Sequence, residues 1–393
     1  MRTLVAGCSV ILGLWAAPGR AWQTAPNPPG RGLEERGGVA NLPVVTRSPE
    51  VAPDRRVTFR LLAPKASEVT LTGEFMEGGR SLQKDDKGVW SVTVGPLEPE
   101  IYNYNFSIDG VRTIDPNNPH VKTGSTASTI QSVLEVRGDS PAFYDGQSVP
   151  HGEVRAHWYE SKSLNALRRL TVYTPPGYDR NVQGRYPVLY LLHGANSDET
   201  VWTRDGHANL ILDNLLAGGK ARPFLVVMPF GYGVPPGTPP PVSGGGPSDN
   251  TALFSRDLIE DVIPFIQSQY RVYTDRDHRA IAGLSMGGGE SLGIGMNHLE
   301  LFSYVAGFSA ALRPAEFQKT FAGLAASPQD ANDKLHLLWI GCGNQDSLFP
   351  AAKSFSEFLT ERKIKHAFRE STGAHTWINW RRYLNEFAPL LFR

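Results

Sequence analysis

The run Ala280-Ile281-Ala282-Gly283-Leu284-Ser285-Met286-Gly287-Gly288 constrains this chain more than any other stretch. An apolar, strand-like segment passes into G-x-S-x-G and then into a helix-compatible stretch from Met286 to Asn297. That order fits a sharp strand-to-helix turn, in which the serine leaves ordinary φ/ψ space and its hydroxyl stands exposed above a sheet. The flanking glycines are needed because a Cβ at either position would collide with the neighbouring strand or helix. With 40 glycines among 393 residues the pattern alone says little, so its context has to carry the argument.

Lys plus Arg and Asp plus Glu both total 39, so the formal net charge is zero. No basic stripe is present to meet a phosphate backbone, and nucleic acid is not an expected partner. Arg2, the apolar run from Leu4 through Trp15 and the exit Gly19-Arg20-Ala21 read as a signal peptide over 1–21, too short for a membrane span. The chain is expected to be secreted or periplasmic, with no membrane attachment after cleavage. Val5-Ala6-Gly7-Cys8 is similar to a lipoprotein signal, but the apolar run continues well past Cys8. Cleavage leaves Cys342 as a single cysteine, which cannot form an internal disulfide, so stability has to come from packing. Residues 22–43, rich in Pro, Gly and Arg, read as a flexible leader.

From 44 to 140 the chain alternates with period two between turn signals, the signature of a small antiparallel sandwich. Tyr102, Tyr104, Phe106 and Ile108 share one face, Asn103, Asn105 and Ser107 the other, and Asp109-Gly110 ends the run as a type I′ hairpin signal. Trp90 and the tyrosines are expected in its core rather than as sugar platforms. The partner of the polar face stays open. No period survives across 141–153, which reads as a linker.

From 154 to 393 apolar strands alternate with helical stretches. Candidate strands are 169–173, 186–192, 224–228, 278–283, 335–341 and 365–370, and candidate helices are 208–217, 254–270 and 351–362. This pattern predicts a mostly parallel sheet with helices on both faces, an α/β-hydrolase-like fold with its site in the loops beyond the strand ends.

A serine nucleophile needs a base to take its proton and an acid to orient that base, in the chain order serine, acid, histidine. His375 lies in the loop after the last strand, whereas His366 sits inside that strand. Asp346 follows the strand ending at Gly341; Asp330 and Asp333 precede it, at the wrong end. The oxyanion donors are expected to be the N–H of Met286 and one from the loop after Leu191-Leu192-His193-Gly194, with Ala195 first and Asn196 next. His193 is read as shaping that loop. Ser309, in Gly307-Phe308-Ser309-Ala310-Ala311, lacks the second glycine and is rejected as a nucleophile. Trp377 beside the base, Trp202 after the oxyanion loop, and Asn196 are candidate substrate contacts, with Phe230 and Tyr232 suggesting an aromatic acyl group. No metal-binding, paired-cysteine or phosphate-loop motif is present, and no cofactor is expected.

The runs Leu191-Leu192-His193-Gly194, His278 to Gly288 and Gly373-Ala374-His375-Thr376-Trp377 resemble the esterase-D-like group that contains carbohydrate esterase family one. Phe59-Arg60-Leu61-Leu62-Ala63-Pro64 and Leu71-Thr72-Gly73-Glu74-Phe75 resemble early-set immunoglobulin-like, glycogen-binding-type modules of glycan-active enzymes. By position, the first resemblance implies Ser285 as nucleophile, His375 as base, Asp346 as its orienter and Met286 as oxyanion donor. It implies an esterified plant polysaccharide or oligosaccharide as substrate, with feruloyl or acetyl groups removed from xylan. A siderophore-ester hydrolase or acyltransferase on the same fold, and an inactive glycan-binding protein, are the alternatives. The Pro- and Gly-rich insert 234–247 has no fixed counterpart in the family and leaves the substrate open.

Overall fold

Period-two alternation builds the first part of the chain. In the computed structural model, which describes residues 47–124, 129–234 and 247–393, Val57–Leu62 and Val89–Val94 pair in one antiparallel sheet. Val69–Gly73, Glu100–Ile108 and Gln131–Val136 pair in a second. The expected signal peptide and leader, and residues 235–246 of the insert, lie outside the described residues. Phe59, Leu71, Tyr104, Phe106 and Leu134 are fully buried between the two sheets. Trp90 also belongs to this core and donates its indole N–H to Ala63 O at 2.9 Å. The face whose partner the sequence left open is buried as well. Asn103 donates its backbone and side-chain N–H groups to the Glu74 carboxyl, and Arg112 donates to Asn105 Oδ1 at 2.6 Å.

Eight strands form the second part: β1 (Glu153–Ser161), β2 (Ala166–Thr174), β3 (Val188–Leu192), β4 (Leu225–Pro229), β5 (Arg279–Leu284), β6 (Tyr304–Phe308), β7 (Leu337–Gly343) and β8 (Ala367–Ser371). They lie in the order β1-β2-β4-β3-β5-β6-β7-β8. β2 runs antiparallel to β1 and β4, and the remaining neighbours are parallel. Along β3, Val188, Tyr190 and Leu192 enter one core, and Leu189 and Leu191 enter the core on the opposite face. A strand buried on both faces reads as one continuous apolar run. This is the α/β-hydrolase fold. β1 is absent from the strands expected from sequence because it is an edge strand, largely exposed and polar.

Helices α1 (Ala208–Ala217), α2 (Pro247–Asp257), α3 (Ser285–Asn297), α4 (Phe349–Glu361) and α5 (Trp377–Phe387) cover the sheet. α2 continues through a π-helical turn, Leu258–Val262, into Ile263–Gln269. Among the described residues no helix is long and apolar enough to cross a membrane.

Three polar anchors fix the loops. Arg168 on β2 is wholly buried: Nε donates to Asp257 Oδ2 at 2.9 Å, Nη2 to Phe230 O at 2.6 Å and Nη1 to Val234 O at 2.8 Å. It thereby holds Phe230 and Val234, the two ends of the described stretch that follows β4. Arg381 on α5 joins the sandwich to the sheet domain, donating through Nη2 to Glu100 Oε1 and Ile101 O, both at 2.9 Å. The segment 141–153 is strapped down by Tyr144, buried in the sheet-domain core, and by Asp213 of α1. Asp213 accepts from His151 Nδ1 at 2.8 Å, Gly152 N–H at 2.9 Å and the Tyr173 hydroxyl at 2.7 Å.

Removing one partner of a buried pair leaves the other charged group without compensation. Arg168→Ala should therefore lower stability by roughly 3–5 kcal/mol, measured by urea denaturation. The His151 imidazole is held above its ordinary value of 6.5 by its hydrogen bond to Asp213. A raised folded value means that this contribution is complete below about 6.5 and is lost as pH rises through the folded value. His151→Ala should then lower the urea midpoint at pH 6 and leave it nearly unchanged at pH 9.

Candidate active site

Ser285 stands where β5 ends and α3 begins, with φ at 53°, in the left-handed region that a side chain seldom adopts. Its carbonyl accepts the N–H of Ala311 at 2.8 Å, which ties the turn to the strand exit beyond β6. The turn is also crowded from the β3 side. A Cβ on Gly287 would lie 2.4 Å from His193 O, and one on Gly194 would lie 2.6 Å from Leu284 Cδ1 and 3.2 Å from Ser285 Cβ. Only glycine lets the β3 exit pass this close to the serine.

Three loops bring their polar groups together here. The Ser285 hydroxyl is 2.9 Å from His375 Nε2, and His375 Nδ1 is 2.8 Å from Asp346 Oδ2. A carboxylate only accepts, so Nδ1 carries the proton and donates to Asp346, which leaves Nε2 to accept from the serine. Asp346 is 4% exposed, and its Oδ1 also accepts the Leu348 N–H at 2.8 Å. Burial by itself would raise its carboxyl, but the bonds from His375 and Leu348 outweigh it and hold Asp346 below the usual carboxylate range. Asp346 therefore stays an anion at neutral pH. His366 contacts Ser356 and Ile364 O instead, while Asp330 pairs with Lys334 on an exposed surface.

The loop after β3 is ordered by His193, which is 1% exposed. Its Nε2 accepts the Gly231 N–H at 2.8 Å, so the proton is on Nδ1, which donates to Gly194 O at 2.8 Å. Burial lowers the imidazole's affinity for a second proton. The Asn196 N–H is taken up by Tyr232 Oη at 2.6 Å. Of the two donors weighed from sequence, that leaves the N–H of Ala195, an exposed residue next to Gly194, which packs against the serine. Met286, second residue of α3, has an N–H in the first helical turn, where no acceptor within the helix is available.

The two tryptophans expected at the substrate are core residues. Trp202 is 1% exposed and donates its indole N–H to Leu192 O at 2.9 Å. Trp377 is 4% exposed and packs edge-to-face against Trp202 and Trp380, each with centroids 5.2 Å apart. Mutual burial of these large rings outweighs exposing either one to a ligand. The remaining edge of Trp377 borders a cleft of about 330 Å³ that the sandwich shares with α5, lined also by Asn103, Lys122, Arg204 and His207. Phe230 and Tyr232 are 7% and 6% exposed and pack against the His193 ring.

Other residues at the site carry little signal in the sequence. Trp380 places its ring edge-to-face with His375, centroids 4.9 Å apart, and donates Nε1–H to Ser309 Oγ at 3.2 Å. Ser309 is fully buried. Glu290 and Asn250 lie behind the loop that follows β4; an acid closing the glycine-rich run Gly287-Gly288-Gly289-Glu290 is the one hint the sequence offers.

A family model described as "Putative esterase" matches residues 161–391, and one described as "Carbohydrate-binding module 48 (Isoamylase N-terminal domain)" matches residues 45–121. The chain is 34% identical over 354 residues to an endo-1,4-beta-xylanase/feruloyl esterase of Xylanibacter ruminicola, an alignment covering 88% of this chain and 46% of the relative. It is 28% identical over 197 residues to endo-1,4-beta-xylanase Y of Acetivibrio thermocellus, covering 47% of this chain and 17% of the relative. The chain thus spans less than half the length of either relative. Among solved structures, a CE1 ferulic acid esterase of Anaeromyces mucronatus in complex with ferulic acid is 28% identical with a TM-score of 0.56, covering 66% of this chain and 98% of that one. The enterobactin esterase of Shigella flexneri, 18% identical with a TM-score of 0.64 over 85% of this chain and 92% of that one, shares the fold. With the first family model spanning more than half of its length, the chain belongs to the esterase family, and a sandwich of the carbohydrate-binding module 48 type precedes its α/β-hydrolase domain.

Proposed function

We propose that this chain is a secreted or periplasmic serine esterase that forms an acyl-enzyme on Ser285 and removes feruloyl or acetyl groups from xylan-type plant polysaccharide. The observation that carries the reading is the unbroken path from Ser285 Oγ through His375 to the buried Asp346 carboxylate, at 2.9 and 2.8 Å. In the first step Ser285 Oγ bonds to the ester carbonyl carbon as its proton passes to His375 Nε2. Asp346 keeps Nδ1–H in place and stabilises the imidazolium. The N–H groups of Met286 and Ala195 receive the negative charge that develops on the carbonyl oxygen. Collapse breaks the ester C–O bond, and His375 returns its proton to the departing sugar hydroxyl. Water then repeats the sequence on the acyl-enzyme, releasing the acid and restoring the Ser285 hydroxyl.

Support for the substrate comes from the names of the relatives, an endo-xylanase/feruloyl esterase and a ferulic acid esterase solved with ferulic acid. The preceding sandwich, of the carbohydrate-binding module 48 type, suits a glycan substrate more than a small free ester.

Ser285→Ala should lower kcat on a short chromogenic ester by at least about a thousandfold with the fold intact by circular dichroism, and near wild-type turnover would sink the assignment. Asp346→Asn should cost about 10⁴ in kcat, because an amide favours the wrong imidazole tautomer. On matched feruloylated and acetylated arabinoxylan oligomers, ferulate release that depends on Ser285 is expected. Acetate alone would assign the acetyl ester, and neither product, with the chromogenic ester still cleaved, would exclude xylan.

A further inference from the structure

The loop carrying Ala195 is braced from behind by two polar side chains that touch no reacting atom. Glu290, five residues after Ser285 on α3, is 2% exposed. Its Oε1 accepts from Asn250 Nδ2 at 2.6 Å, and its Oε2 has no hydrogen-bond partner among the described residues. Burial holds this carboxyl well above the usual range despite the Asn250 bond.

Asn250, on α2, works on the other side. Its Nδ2 also donates to Gly231 O at 3.1 Å, and its Oδ1 accepts the Gly233 N–H at 2.8 Å, so one amide grips the chain on both sides of Tyr232. The gripped residues reach forward in turn. Gly231 N–H goes to His193 Nε2, His193 Nδ1–H goes to Gly194 O, and Tyr232 Oη accepts from Asn196 N–H. Ala195 is therefore held between two neighbours that are both tied to residues 231–232. The amide must face the right way for this to work. Turned over, it would set its NH₂ group against the Gly233 N–H, and the acceptor at Glu290 Oε1 selects the productive orientation.

We propose that Glu290 and Asn250 are positioning residues for the oxyanion hole: Glu290 orients the Asn250 amide, the amide sets residues 231–233, and these aim the Ala195 N–H at the reacting carbonyl oxygen. This rests on the ester-hydrolysis reading above. An oxyanion donor acts mainly on the transition state, so loosening it lowers kcat more than it raises KM. A purely structural role would lower stability without separating the two constants.

The test is kcat, KM and the urea midpoint on a short chromogenic ester for wild type, E290Q, E290L, N250A and S285A. E290L and N250A should lose about 10- to 100-fold in kcat with KM held within about twofold. E290Q, which can keep an acceptor oxygen toward Asn250, should stay within about threefold of wild type. Wild-type kcat in E290L and N250A would overturn the proposal, as would an E290Q loss equal to that of E290L. Should E290L fail to fold, N250A, at a half-buried position, carries the test. Turnover surviving in S285A would overturn the esterase reading itself. An inactive S285A beside a fully active N250A would overturn only the positioning role.

Discussion

The close passage of the β3 exit over the start of α3 is the constraint on which the rest of the site depends. With Gly194 against Ser285 and Gly287 against His193 O, neither segment can withdraw without opening a void, and the serine is kept at φ 53°. Such strain persists only where the surroundings over-determine it. Here they do so from several sides: Ala311 bonds the Ser285 carbonyl, both faces of β5 are buried, and Trp202 anchors Leu192 at the β3 exit. The same approach that strains the serine brings Gly194, next to Ala195, against it, so candidate nucleophile and candidate oxyanion donor share one origin.

Around this rigid centre, loop order comes from buried polar groups rather than from helix or sheet. Arg168 fixes the ends of the stretch 230–234 after β4, Asn250 its middle, and His193 its junction with the loop after β3. Such networks are strong when complete and costly when any member is missing. A loop made this way can be as well defined as a strand, although it repeats no pattern.

That difference explains what could be read from the sequence. The elbow and the apolar central strands are local patterns, each visible within a dozen residues, and Asp346 and His375 could be picked out because each follows a legible strand. β1 escaped because half-exposed edge strands carry no apolar run. Trp202 and Trp377 were misplaced because nearness to catalytic loops in sequence does not tell which way a side chain turns. Each turned inward, to the other. Asn250 and Glu290 meet across 40 positions, and nothing at either one announces the other.

Arg381 carries a consequence for how such a protein could be assembled from parts. It is 1% exposed, and its guanidinium donates through Nη2 to Glu100 and Ile101 of the sandwich and through Nη1 to the Asp205 carbonyl, with the Tyr144 ring beside it. The two halves are thus not beads on a string but pieces cut to one another. Recombination that exchanged the sandwich for an unrelated module would bury a cation with no acid to meet it. Shuffling at this junction is open only to donors that bring a carboxylate to the place of Glu100, or to recipients that have already lost Arg381.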